Sequence, residues 1–582
     1  MRKCLYLLAA ALFIAGCAGV AEHPAAPGKK AIDPRGAGDF RFVVMGDTRP
    51  WWKGADVVTQ NEHFLGNIRR ANSLGDDFAV ILGDLIHGYT DDADLVAKEW
   101  DAYDKMCKNF EMPVVPVIGN HDVWNKASEE VWRRRYGLDY LSFDHKGAHF
   151  IVLSSEIQGQ QDRIAAEQLA WLKEDLRKAA SARRTFVFLH APLWAYPPKP
   201  GETANQWMRE VHPLLAAAGV DTVFAGHWHR YLCYSPMGGV RYVLTGGGGA
   251  ELDPYELTGG FFHFVEVSVK GRKAGLELVT ADGRLPADIV TPDSVKAAEG
   301  ALAVEPLAAV PPGGEITIRA RLGNPTNREV RAAVTWDATG TFWRGEKAVA
   351  PTLAPNGAGV LEVRAKVGEK MFPLPKARVE LVDGSRKLYG WDFLVPALAG
   401  VAPMVREWNV VGPFDLGLAD WTDAERNDKD RYLKGALPGW NGTLPPEQGA
   451  DLAAAYPGKG GRQVRWQAVK ADQAGLVDLD AVFNDDYAVA YAVAYIRAPK
   501  AGKFYFTAGS DDSILVRING KEVWRKHVQR AAKADEDVFS ADLKEGWNEV
   551  LLKVADRILG WGFYFRVIDP ERSLKFALKP EK

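Results

Sequence analysis

Five short segments of this 582-residue chain place residues able to bind metal directly behind apolar runs. Phe40–Met45 leads into Gly46-Asp47-Thr48-Arg49. Residues 78–82 lead into Gly83-Asp84-Leu85-Ile86-His87, and 114–118 into Gly119-Asn120-His121-Asp122. Residues 185–189 end at His190-Ala191-Pro192, and 220–225 at Gly226-His227-Trp228-His229. A lone Gly-Asp after a strand is an ordinary turn, and a lone GHxH is a chance pair. Five such endings in order gather carboxylates, a carboxamide and imidazoles in numbers that a scaffold alone does not need.

The elements that must position them follow from spacing. The apolar runs are short enough for buried strands, and helical stretches separate them, as in 167–180, where Leu169, Leu172 and Leu176 recur at three and four residues. Alternating strands and helices predict an α/β layer fold. In such sheets sites collect at the carboxyl ends of strands, where all five segments end. The Gly before four of them lets the backbone turn sharply there.

Written as GDTR, GDLI, GNHD, HAP and GHWH, these segments resemble the calcineurin-like metallophosphoesterase superfamily in its purple acid phosphatase-like variant, over roughly residues 40–270. The resemblance implies a domain over 38–290, a sandwich of two β-sheets flanked by helices, and a dinuclear centre at one edge. Carried over residue by residue, Asp47 and His229 would hold the first metal, Asp84 would bridge, and Asn120, His190 and His227 would hold the second. Oxygen and imidazole donors without thiolate suit two divalent or trivalent ions among Mn, Fe, Zn and Ni. Such a pair, ~3.5–4 Å apart, would hydrolyse phosphate mono- or diesters through metal-bound hydroxide. His121 would protonate the leaving oxygen. Asp122 would partner its other ring nitrogen.

One position departs from the pattern. The superfamily places His two residues after the first Asp, and this chain has Arg49, whose guanidinium has no lone pair for a metal. Three readings stay open. His87, where GDxxY has its Tyr, would supply the missing ligand and leave Arg49 to clamp a substrate phosphate oxygen. Alternatively the first site is weak, with one firmly held metal. In the third reading His87 is a loop residue and the fold binds phosphate without hydrolysis.

The remaining histidines read as scaffold or surface: His63 in a helical stretch, His145 and His149 in the strand-like stretch 140–153, and His212 beside Pro213. Gly246 to Gly249 could approach a phosphate with bare backbone but lack P-loop spacing. Cys107 and Cys233 are buried thiols or a pair. Near-neutral charge (−3) gives no sign of a nucleic-acid partner, and none is expected.

The ends of the chain add context. Arg2 and Lys3, a short apolar run over 5–14, and Ile14-Ala15-Gly16-Cys17 resemble a lipoprotein signal peptide with lipobox over 1–17. This implies lipid on Cys17 and a membrane-anchored protein at the bacterial cell envelope, periplasmic or on the outer-membrane surface. Residues 18–37 read as a flexible tether. Residues 300–397 carry alternating runs such as Ile316, Ile318 and Ala320, and predict an immunoglobulin- or fibronectin-like β-sandwich. Residues 403–582 predict a jelly-roll-like β-domain, with Asn519-Gly520 as a hairpin turn. Their stretch around 504–524 looks like the sugar-binding jelly rolls related to anthrax protective antigen, so carbohydrate is an expected partner. Asp511 and Asp512 match the paired acids that bind calcium in some of these, or serve as turn residues. Trp408, Trp440, Trp524, Trp547 and Trp561 either stack on sugar rings or fill the core. The whole reads as an anchored phosphoric ester hydrolase; the alternative is a surface glycan- or ligand-binding lipoprotein with a degenerate phosphoesterase domain.

Overall fold

The structure, a computed structural model, describes residue 32 and residues 38–50, 61–90, 92–198, 202–310, 313–369, 371–422, 425–426 and 428–581. The expected signal peptide, Cys17 and nearly all of the tether lie outside the described residues. The chain divides into two compact units, one ending at Val295 and the other continuing from Lys296. Both expected C-terminal β modules fall in the second.

In the first unit the expected strands form where the apolar runs lie: β1 (Phe40–Met45), β2 (Phe78–Ile81), β3 (Val114–Pro116), β4 (Leu141–His145), β5 (Ala148–Val152), β6 (Thr185–Phe188), β7 (Thr222–Ala225), β8 (Tyr231–Met237), β9 (Val240–Thr245), β10 (Phe264–Lys270), β11 (Lys273–Thr280) and β12 (Gly283–Pro286). They build two six-stranded sheets, in the orders β12-β11-β10-β1-β2-β3 and β4-β5-β6-β7-β9-β8. The ligand-bearing strands run parallel within each sheet: β1, β2 and β3 in one, and β6 and β7 in the other. Their carboxyl ends therefore point to a common edge.

Alternation along each strand explains the layering. Phe40, Phe42 and Val44 of β1, Phe78 and Val80 of β2, Phe150 and Val152 of β5, and Phe186 and Phe188 of β6 share one core between the sheets. The intervening Val43, Met45, Ala79 and Ile81 pack outward with α1 (Glu62–Leu74), α2 (Ala93–Cys107) and α3 (Lys126–Tyr136). Ile151 and Val187 pack outward with α4 (Ala166–Lys178) and α5 (His212–Ala217). A period of two with both faces apolar is what a doubly covered sheet demands. The phenylalanine cluster is tight: Phe42 and Phe78 stack at 5.1 Å, and Phe150 meets Phe42 edge-on at 5.4 Å.

The second unit is almost entirely β. Leu302–Val304, Glu315–Gly323, Ala358–Lys366 and Arg344–Val349 form one four-stranded sheet; Thr352–Leu353, Val330–Asp337, Lys376–Asp383 and Arg386–Asp392 form another. Ile316, Ile318, Ala320 and Leu322 are buried while their neighbours face water. Beyond these lie a seven-stranded and a four-stranded sheet. Asn519 and Gly520, at φ 50° and 77°, turn the chain between Ser513–Ile518 and Lys521–Lys526, as the hairpin signal requires. Trp408, Trp440 and Trp561 are buried in the cores and are not available to a sugar ring. Trp524 and Trp547 are half-buried. Cys107 and Cys233 are free and buried, not paired. Among the described residues no helix is long and apolar enough to cross a membrane.

Candidate metal centre

Each strand ends in a sharp turn that throws one polar side chain over the sheet edge. Asp47, Asp84 and His227 all adopt the left-handed conformation, at φ 59°, 53° and 71°. That conformation is costly for residues with a Cβ and accumulates at functional sites. Main-chain bonds hold the turns together: Asp47 N–H donates to the Gly83 carbonyl at 3.1 Å, Arg49 N–H to that of Asp84 at 2.8 Å, and Gly226 N–H to that of His190 at 2.9 Å.

The glycines give the backbones room to press against the carboxylates. A Cβ on Gly226 would stand 2.4 Å from Asp47 Oδ2, one on Gly246 2.8 Å from the same oxygen, and one on Gly119 2.4 Å from Asp84 Oδ1. The run from Gly246 is thus a wall of the site. It is braced by two asparagines that the sequence reading passed over. Asn61, which caps α1, donates from Nδ2 to the carbonyls of Thr48 (3.0 Å) and Gly249 (3.3 Å), and Asn67 donates to that of Gly248 at 3.0 Å.

Two groups of ligand atoms result. Asp47, Asp84 and His229 have ligand atoms within 4.8 Å of one another. On the other side, His190 Nε2 lies 2.9 Å from Asn120 Oδ1, 3.1 Å from His227 Nδ1 and 3.2 Å from Asp84 Oδ1. His190 Nδ1–H donates to the Leu82 carbonyl at 2.7 Å, which leaves a lone pair on Nε2. Asn120 turns its amide nitrogen toward the Tyr89 hydroxyl at 3.1 Å and its oxygen toward the histidines. Lone pairs therefore face lone pairs, an arrangement that a cation resolves.

The electrostatics agree. Burial lowers both His227 and His229 to about 4, aided by His190 in the first case and Arg49 in the second, so both imidazoles are neutral at physiological pH. Burial, then the charge of Asp84, pushes the Asp47 carboxyl well above its usual range. Burial also works to raise Asp84, but His190, His121 and Arg49 together bring it down to about 2. The six expected ligands are thus brought together, with neutral imidazoles and an ionised Asp84; these oxygen and imidazole donors would hold metal, whose positive charge would draw the proton from Asp47.

The neighbours differ from expectation. Asp122 does not touch the His121 ring. It is buried and accepts Gly119 N–H at 2.8 Å on Oδ2, and those of Leu85 and Ile86 at 2.8 and 3.3 Å on Oδ1. Its geometry makes it the tie between the second and third motifs, because the chain passes its N–H groups, not an imidazole, across the carboxylate. His121 instead donates from Nδ1 to the main-chain carbonyl of His87 at 2.5 Å, and its Nε2 faces Asp84 Oδ2 at 3.9 Å. The His87 ring stands edge-on to His121 with centroids 5.7 Å apart, and it is not in the Asp47–Asp84–His229 cluster. Tyr89 packs edge-on against His121 at 4.8 Å. An aromatic in the loop that follows Asp84 was the one signal for it. Arg49 is largely buried, and its Nε lies 3.5 Å from Asp84 Oδ2.

Residues 40–231 match the model of the calcineurin-like phosphoesterase family. The chain is similar to the serine/threonine-protein phosphatase CPPED1 of Bos taurus, 32% identical over 176 residues, which are 26% of this chain and 53% of that protein. It is similar also to purple acid phosphatase 18 of Arabidopsis thaliana, 28% identical over 196 residues, with 29% and 44% covered. The chain thus spans about half the length of the curated relatives it matches. Among solved structures, a dimetal phosphatase from Danio rerio matches 42% of this chain and 96% of its own, at 14% identity and a TM-score of 0.32.

Proposed function

We propose that this chain, which carries a calcineurin-like phosphoesterase domain, is a metal-dependent hydrolase of phosphate esters. The observation that carries the reading is the convergence of Asp47, Asp84, Asn120, His190, His227 and His229 at one sheet edge, with both GHxH imidazoles held neutral. Metal ions bound there would supply Lewis-acid polarisation of the phosphoryl group. The protein's own part is positional and protonic. His121 has its Nδ1–H fixed on the His87 carbonyl, so Nε2 is the atom that carries or releases the proton of the leaving oxygen. Burial lowers its pKa, which makes its protonated form the stronger acid. Tyr89 packs against the same ring at nearly a right angle.

The test is a metal-loaded chain beginning after Cys17, assayed on p-nitrophenyl phosphate and its bis-ester. Hydrolysis that falls about 10²–10⁴-fold in His121→Ala, with metal content unchanged, supports the reading. A protein that neither binds metal nor hydrolyses either ester returns the domain to a binding role.

The cellular reading rests on sequence. The lipobox-like segment ending at Cys17 supports a lipid-anchored protein of the bacterial envelope. Palmitate labelling that vanishes in Cys17→Ala is the expected result, and equal labelling of both proteins would refute it.

A specific observation favours a second activity in the other unit, whose paired sheets support the immunoglobulin-like and jelly-roll-like readings. Asp511, Asp512 and Asp556 bring ligand oxygens within 4.8 Å of one another. Asp556 is 0% exposed, and neither of its oxygens has a hydrogen-bond partner. A buried carboxylate without a hydrogen-bond partner, beside two further carboxylates, offers oxygens that a cation would satisfy. We read this unit as a calcium-dependent module with carbohydrate as its expected ligand. Calorimetry with calcium, followed by glycan-array binding with and without chelator, tests both halves.

A further inference from the structure

We propose that the Arg49 guanidinium is the resident cation of the first metal position, so that the protein holds one metal ion firmly, at Asn120, His190, His227 and Asp84. This deepens the hydrolase reading and rests on it.

The two oxygens of Asp84 are divided. Oδ1 faces the second group: His190 Nε2 at 3.2 Å and His121 N–H at 3.1 Å. Oδ2, the oxygen left for the first position, has Arg49 Nε at 3.5 Å. The arginine is placed there by its backbone, since Arg49 N–H donates to the Asp84 carbonyl at 2.8 Å. Its side chain is 14% exposed and that of Asp84 2%, so water does little to screen the pair. A guanidinium carries a positive charge and has no electron pair to donate. It therefore neutralises the carboxylate and at the same time repels an ion that would approach the same oxygen.

What remains for a first metal is thin. Asp47 already accepts His227 N–H on both oxygens, at 3.1 and 2.9 Å, and His229 Nε2 stands 3.6 Å from it. Asp47, His229 and a bridging oxygen shared with a fixed positive charge make a poor competitor beside the four-donor group opposite. Arg49 would then do for the substrate what a first ion would do, placing positive charge beside the phosphoryl oxygens in a fork that fits them.

Metal stoichiometry tests this without reference to turnover. The full chain is equilibrated with Mn(II), passed through a desalting column and analysed by mass spectrometry of the metal and by electron paramagnetic resonance. The expected wild-type result is one equivalent per chain with the spectrum of an isolated ion. Arg49→His should retain two equivalents and show exchange coupling between them. Arg49→Met, which removes the charge and adds no nitrogen ligand, should bind a second equivalent in titration at least about ten-fold more tightly than the wild type. Two firmly held ions in the wild type would overturn the inference and leave the hydrolase reading intact. Wild-type stoichiometry in both variants would overturn it as well. A wild-type protein that binds no manganese would overturn both readings together.

Discussion

Asp122→Asn separates two roles that the residue types alone cannot distinguish. If Asp122 served the His121 ring, the substitution would displace the pH profile and leave stability almost untouched. The geometry gives the opposite expectation. All three groups that face the carboxylate are main-chain donors, two on Oδ1 and one on Oδ2. Burial, then the charge of Asp84, pushes the Asp122 carboxyl up, but the three N–H groups that face it offer no acceptor for a proton; in the asparagine variant the amide oxygen keeps the pair from Leu85 and Ile86, now without the charge that strengthens them. The amide nitrogen then meets Gly119 N–H, donor against donor, at the place where 2.8 Å separated donor and acceptor. A buried donor left without a partner costs about 1–3 kcal/mol, and loss of charge assistance roughly 0.5–1 kcal/mol for each remaining bond. The three share one carboxylate and do not add fully, so about 2–4 kcal/mol is expected. Urea unfolding followed by tryptophan fluorescence reads this as a lower midpoint of the transition belonging to the first unit. The alkaline limb of the kcat profile should stay where it is. Stability within about 0.5 kcal/mol of wild type, together with a displaced limb, would refute the assignment and restore the His121 partnership.

Three further outcomes follow from the same geometry. Gly226→Ala puts a methyl group 2.4 Å from Asp47 Oδ2, so overpacking of about 1–3 kcal/mol and reduced metal content are expected; unchanged metal content and melting temperature would refute the close approach. For His149, burial opposes the charged form, but donation to Asp144 at 2.8 Å and Asp175 at 2.9 Å raises its pKa to about 9. Its folded pKa lies above the unfolded value, so its contribution, on the order of 2–3 kcal/mol, is complete below about pH 6.5 and lost as pH rises through about 9. His149→Gln should therefore lower the melting temperature much more at pH 6 than at pH 10, and an equal loss at both would refute the ion pair. In the second unit, burial and then the charges of Asp512, Asp486, Asp511 and Asp480 push Asp556 up to about 9. Without calcium, stability there should decline between about pH 4 and pH 9; calcium or Asp556→Asn should flatten the decline, and a calorimetric midpoint insensitive to both would remove the cation site.

The parts of this molecule that were legible in its sequence share a physical character. Strand β1 and the turn at Asp47 are specified within eight residues: an apolar run, a Gly that permits the turn, and a polar side chain at the end. The same local grammar serves Asp84, Asn120 and the His227–His229 pair, and His190 ends its apolar run without a Gly, so each candidate ligand is marked within its own segment. What stayed hidden depends on atoms that carry no residue identity or on contacts far along the chain. The tautomers of His121 and His190 are fixed by the main-chain carbonyls of His87 and Leu82, 34 and 108 residues away. Every residue type presents a carbonyl, so nothing in the letters marks those two. Asn61 and Asn67 belong to no motif, yet Asn67 supports a glycine 181 positions later. Trp408 and Trp561 show the converse failure: an aromatic in a β-rich segment has the same letter whether it fills a core or faces a ligand, and only the partner strands decide. Arg49 joins both cases. Its letter marks a departure from the ligand pattern, but only the path of the loop sets the guanidinium against Asp84 Oδ2, the contact on which the proposed one-metal site rests.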